Sequence, residues 1–222
     1  MAIIKQGKEQ GQGSADKDYD NIEAGEHDAR LVYVANLGMH PNEYRGEKKA
    51  DVQKLALGVE IVDSSVTIEG KEEPRLLWVN PINVYYSLTE KGKELLMYKI
   101  FNPSAKEGEE ADWDSVLGSP CVVTIANIEG KGENSDKVYD NITNVVAIPK
   151  KYQKDVSPAR ITDMSTAGEE NMEAGAMKAL FGLAKWQFDQ RLGEEEDSPE
   201  PTPKKAAVNN PHDDYEDDIP FS

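Results

Sequence analysis

Cysteine occurs once in these 222 residues, at Cys121, and histidine three times, at His27, His40 and His212. One thiol excludes an intrachain disulfide and a cysteine zinc cluster, and the scattered imidazoles form no pair with metal-ligand spacing. Basic residues are scarce as well: 25 Lys and Arg stand against 42 Asp and Glu, for a formal charge of -17. Such a chain does not hold duplex DNA by overall charge, although a locally basic groove is compatible with it. Long apolar runs are missing. The first residues offer only Ala2, Ile3 and Ile4, too short for a signal-peptide core, and no stretch approaches a membrane span. The expectation is a protein of a reducing cytoplasm, with no membrane contact, no cofactor, no metal and no catalytic residues. Glu109, Glu110, Asp112 and Asp114 around Trp113 read as a solvated acidic loop, and Gly130-Lys131-Gly132 is too short to cradle a phosphate.

What is present is mostly β-patterned. At 38% hydrophobic and 30% charged, the chain has enough apolar residues for one folded body with loose ends. Residues 1–25 are polar and glycine-bearing and read as a flexible arm. Residues 30–37 are β-rich and stop at Gly38, with Pro41 just beyond. Leu55, Leu57, Val59 and Ile61 alternate with Lys54, Ala56, Gly58 and Glu60, predicting a half-buried strand. Its opposite face is small enough at Ala56 and Gly58 for something flat to lie there. Residues 75–79 predict a third strand, resumed through 82–86, and residues 90–101 a short helix ended by Asn102-Pro103, with a hairpin at Lys91-Gly92 as the rival. Residues 121–128 and 138–148 complete five strands around a loop at 129–136. Five strands with a helix between the third and fourth is the order of an OB-fold barrel. Trp113 is expected to plug its end near Leu117.

Beyond Lys151, Met177, Leu180, Phe181, Ala184, Phe188 and Leu192 recur at helical spacing, predicting an amphipathic helix over 169–192 that packs on the barrel or pairs two chains. Residues 193–222 carry ten acids against Lys204 and Lys205, a charge of -8 that forbids a packed core. The run closes on Ile219-Pro220-Phe221 after Asp213, Asp214, Glu216, Asp217 and Asp218. Solvation explains the acids but not that apolar tip, which reads as a docking hook.

This ending resembles the tail of bacterial and phage single-stranded DNA-binding proteins, with Ser222 added after the Phe. Residues 87–91 with their helix, then 113–125, then 139–150, in that order, are similar to a pattern of single-stranded DNA-binding proteins from tailed bacteriophages. The resemblance spans residues 26–152. It implies an OB fold and a non-enzymatic role in coating exposed single strands during replication, recombination and repair, in the cytoplasm of an infected bacterium. Residues 153–192 are then a linker and helix, and the tail recruits replication or recombination proteins to a monomer or homodimer. The competing expectation is an acidic DNA mimic, or a host-takeover inhibitor aimed at a host DNA-binding protein.

Binding single strands without sequence preference needs rings for bases to stack on and cations along the backbone. In the last strand, Val138, Ile142, Val146 and Ile148 share a parity and predict the buried face, placing Tyr139 on the other side beside Lys137. Trp78 is open between core and groove, and its parity is opposite to that of Arg75 unless the strand bulges. Tyr85 and Tyr86 are neighbours, so one faces the groove and the other the core. Tyr33 shares the side of Leu31 and Leu37 and reads first as core. Lys54, Lys131 and Arg30 join Lys137 and Arg75 as candidate phosphate contacts, with Lys150 and Lys151 among the remaining basic residues.

Overall fold

A computed structural model describes residues 20–68, 70–84, 88–90, 92–130, 135 and 137–192. The chain divides into a unit ending at Leu192 and a second from Gly193 to Ser222; the second lies outside the described residues. Within the first, seven strands form a mainly antiparallel sheet: β1 (Gly25–Tyr44), β2 (Glu47–Ile68), β3 (Lys71–Trp78), β4 (Ile82–Val84), β5 (Pro120–Glu129), β6 (Val138–Ala147) and β7 (Ser165–Ala167). The hydrogen-bonded order is β3-β2-β1-β5-β6, with β4 paired to β2 and β7 lying parallel to β1. An α-helix of nine residues, α1 (Lys93–Phe101), and a 3-10 turn (Asp114–Val116) lie between β4 and β5.

The first hairpin is longer than the sequence suggests. Gly38 does not end the strand; at φ +80 it sits where the β1–β2 register shifts, so β1 absorbs it and runs on past Pro41. The turn is Arg45-Gly46, both with positive φ, the backbone twist that two-residue hairpins favour. From Gln53 to Ile61, β2 carries no irregularity opposite β3 or β4, and there its alternation is preserved.

The sheet buries one face in a first core and part of the other, over β1–β3, in a second. One core gathers Leu31, Val34, Leu57, Val59, Ile61, Val123 and Ile125 with Leu95 and Tyr98 of α1 and with Trp113, which meets Tyr98 edge-on at 4.9 Å. Each such aliphatic side chain contributes about 1.5–3 kcal/mol relative to exposure. No ladder joins β3 to β6 among the described residues, and the sheet is not a closed barrel. A polar cluster links them instead. The Asp140 carboxylate of β6 accepts from the Arg75 guanidinium of β3 at 2.6 Å, from Asn127 and Asn21 amides at 2.9 Å each, and from the Ile22 N–H at 3.2 Å. Arg75 and Asp140 side chains are 11% and 2% exposed, so this pair is shielded from solvent on both sides.

The second core is built by the chain beyond β6. Where a continuous helix over 169–192 is expected, a 3-10 turn (Glu169–Asn171), α2 (Gly175–Lys178) and α3 (Gly182–Asp189) follow one another. Phe181 is extended and Gly182 has φ +56, which breaks the helix between the two segments. Ala176, Met177, Leu180, Ala184 and Phe188 pack on Val32, Tyr33, Ala35, Leu37 and Ala56 of the sheet. Phe181 and Leu192, expected on the same stripe, are 47% and 41% exposed.

Candidate functional site

The small face at Ala56 and Gly58 does receive something flat, and it is the protein's own tryptophan. Trp78 pairs with Gly58 across β2 and β3, and a Cβ on that glycine would lie 3.3 Å from the indole ring. The ring stacks on Tyr33, centroids 6.3 Å apart and planes within 19°. Its Nε1 donates to the Ala179 carbonyl at 3.0 Å, and the Tyr33 hydroxyl donates to Asp163 at 2.7 Å. Burial, and then the Asp163 carboxylate, push the Tyr33 phenol well above its usual range. Residues 159–188 thus lie over this stack.

Charge reinforces the cover. Glu60, 1% exposed on the same face, accepts the N–H groups of Arg160 and Ile161 at 3.0 and 2.9 Å and pairs with the Arg160 side chain at 3.2 Å. A buried carboxylate in this position opposes any phosphate brought close to it. Arg30 is committed too, donating to the carbonyls of Gly118, Val156 and Ser157 at 2.6, 2.7 and 2.6 Å. Arg75 and Trp78 have opposite parity because β3 does not bulge between them: Trp78 faces the cover and Arg75 turns to Asp140. Lys54, half-buried, shares the side of Ala56 and Gly58 and makes no ion pair among the described residues.

The outer side of β5 and β6 is different. The pairing Thr124↔Asn144 is followed by Ile125↔Ile142, so Thr143 is an extra residue in β6. That bulge exchanges the faces beyond it and corrects the predicted parity there, so that Ile142 and Val145 are buried whereas Val146 is 40% exposed; Val138, on the side of Ile142 but at the start of the strand, is 45% exposed, and Ile148 is buried beyond the strand's end. Before the bulge Tyr139 faces outward, 47% exposed, opposite Ile128 at 45%. Lys137, exposed, precedes it. Because β5 itself is uninterrupted, Val122, Thr124, Ala126 and Ile128 share one side, and Val146 opposite Val122 extends the same surface.

No protein-family model matches this chain, and no curated protein matches it.

Of the candidates, then, Tyr139 and Lys137 stand together on an open surface; Tyr33, Trp78 and Lys54 lie on the same side of the sheet but on β1, β2 and β3, where residues 159–188 cover Tyr33 and Trp78; Arg30 and Arg75 hold backbone and carboxylate partners. Tyr85, Tyr86, Lys131 and the tail residues Asp213, Asp214, Glu216, Asp217, Asp218, Ile219, Pro220 and Phe221 lie outside the described residues. Among the described residues no group of three or more His, Cys, Asp or Glu side chains is placed to hold a metal ion, and no helix is long and apolar enough to cross a membrane. Sequence reasoning ranked Tyr152 nowhere, yet it is 50% exposed with the Lys151 ammonium 4.4 Å from its ring centroid. An aromatic within a lysine run was the available signal.

Proposed function

We propose that this chain is an OB-type single-stranded DNA-binding protein that coats exposed strands in phage DNA replication, recombination and repair. The observation that carries the reading is the strand order β3-β2-β1-β5-β6, in which β1 is central and pairs with both β2 and β5. With β3 and β4 taken as one interrupted strand, and α1 in the next connection, this is the Greek-key order of a partly open five-stranded barrel. The Arg75–Asp140 pair at 2.6 Å stands where the barrel's last ladder belongs. Binding is non-enzymatic: bases stack on Tyr139, and Lys137, with Lys131 in the same β5–β6 connection, neutralises phosphate with release of counterions. The acidic tail, ending in Ile219-Pro220-Phe221, recruits replication or recombination partners and moderates DNA binding in the cytoplasm of the infected cell.

The net charge of -17 favours a second reading, an acidic DNA mimic that captures a host DNA-binding protein. One experiment separates them. Intrinsic fluorescence is titrated with oligo-dT at two salt concentrations. Salt-sensitive quenching supports the first reading; silence at low salt, together with binding to a host DNA-binding protein, supports the second.

A further inference from the structure

A single strand crossing the β5–β6 surface from Tyr139 runs toward the segment that leaves β6, and that segment has the chemistry to hold it. Between Pro149 and Lys154 the chain carries Lys150, Lys151 and Lys154 and no acid, in a protein of charge -17. All three lysines are exposed, and none forms an ion pair among the described residues. Tyr152 stands among them, half exposed, with the Lys151 ammonium over its ring. Beside it lies an open groove of about 330 Å³ whose floor includes Val122, Ala147, Pro149 and Val156. Val122 belongs to the same side of β5 as Ile128, the partner of Tyr139, so groove and Tyr139 open on one surface.

The segment is held in shape before any ligand arrives. The Tyr152 N–H donates to Pro149 at 2.8 Å, the Asp155 N–H to Tyr152 at 2.9 Å, and the Gln153 amide to Ile148 at 3.0 Å. Arg30 pins the next two carbonyls, at Val156 and Ser157. A ring fixed this way loses little freedom when a base settles on it.

We propose that residues 150–154 form a second contact for single-stranded DNA, with a base entering the groove against Tyr152 and the adjoining phosphates meeting Lys150, Lys151 and Lys154. The proposal rests on the DNA-binding reading and adds to it a site separate from Tyr139. Asp28 and Asp155 line the groove, so the exposed lysines that flank its lining residues Pro149, Tyr152 and Asp155 in sequence, rather than its interior, receive the phosphates. Paired bases offer no free face to the ring, which restricts the site to unpaired strands.

The test uses the full chain and fluorescently labelled oligo-dT, read by anisotropy over a range of salt. Tyr152→Ala is expected to weaken binding about 5- to 150-fold, the equivalent of ~1–3 kcal/mol per stacked base, and Tyr152→Phe to leave it nearly intact. The triple variant Lys150→Gln, Lys151→Gln, Lys154→Gln changes only exposed side chains. It should flatten the slope of log K against log salt by about 2, at roughly 0.7 per phosphate contact on a single strand. Wild-type affinity in folded Tyr152→Ala together with an unchanged slope in the triple variant overturns this contact and leaves the DNA-binding reading standing. A wild-type protein that ignores oligo-dT at low salt overturns both.

Discussion

Tyr139 and His40 show how differently two single residues can be used. Tyr139 is nearly half exposed, its side chain makes no hydrogen bond among the described contacts, and it stands opposite an exposed isoleucine. Replacing it with Ala should therefore cost affinity for oligo-dT, about 1–3 kcal/mol, without moving the melting temperature, while Phe should be almost silent. A folded Ala variant of unchanged affinity removes Tyr139 from the site. His40 is only 4% exposed, its Nε2 lying 3.2 Å from the Leu37 carbonyl. Burial lowers its pKa from the ordinary 6.5, against the Leu37 contact and with help from Lys54. The unfolded chain then binds the proton more readily than the folded one. Stability held by neutral His40 is present above the unfolded value and declines as pH falls through it. Thermal melts from pH 7.5 to 5 should show this decline, and His40→Gln should have a shallower one; equal slopes would exclude His40 as the cause.

At the scale of elements, the segment from Ala159 to Phe188 decides how much of the outer side of the sheet is available. Its anchor is Phe188, 4% exposed in the second core. Phe188→Ala should destabilise the protein by about 3–5 kcal/mol in urea titrations. At temperatures where the variant stays folded, its oligo-dT affinity should equal that of the wild type, because the DNA surface proposed here lies on β5 and β6. A gain in affinity would instead mark the covered Tyr33–Trp78 patch as part of the binding face. The sequence patterns predicted some of this and missed the rest for physical reasons. The alternation of Leu55, Leu57, Val59 and Ile61 was legible because β2 is regular there. The smallness of Ala56 and Gly58 was legible as room for a flat group, but not that Trp78 and the chain's own cover occupy it, since that depends on the β2–β3 register and on covering residues more than a hundred positions away. Parity in β6 was misread because one inserted residue, Thr143, exchanges the faces, and no side-chain pattern announces a bulge. Gly38 was read as a stop for the same reason.

For the whole molecule, charge and opening are the relevant quantities. Residues 193–222 carry -8 of the total -17, tethered to the same chain as any basic contact. At low salt they should compete with DNA at an effective concentration in the roughly millimolar range. A protein ending at Leu192 should bind oligo-dT more tightly than the full chain, with the difference shrinking as the Debye length falls to ~8 Å at physiological ionic strength. Phe221→Ala should leave DNA affinity unchanged. Equal affinity of truncated and full chains at low salt would leave the tail as a partner peptide alone. Finally, Cys121 lies fully buried in β5 between Ala29 of β1 and Ala147 of β6, with its thiol pushed up to about 12 by burial and by Asp28. Neither thiolate nor access exists until the sheet parts. The lone cysteine is consequently a built-in clock: under native conditions a thiol reagent reports how often the centre of the sheet opens. Any ligand that binds only the folded chain must slow that clock, by about a hundredfold at a hundred times its Kd. A library of nucleic acids and proteins can thus be ranked on the unmodified protein by labelling rate alone.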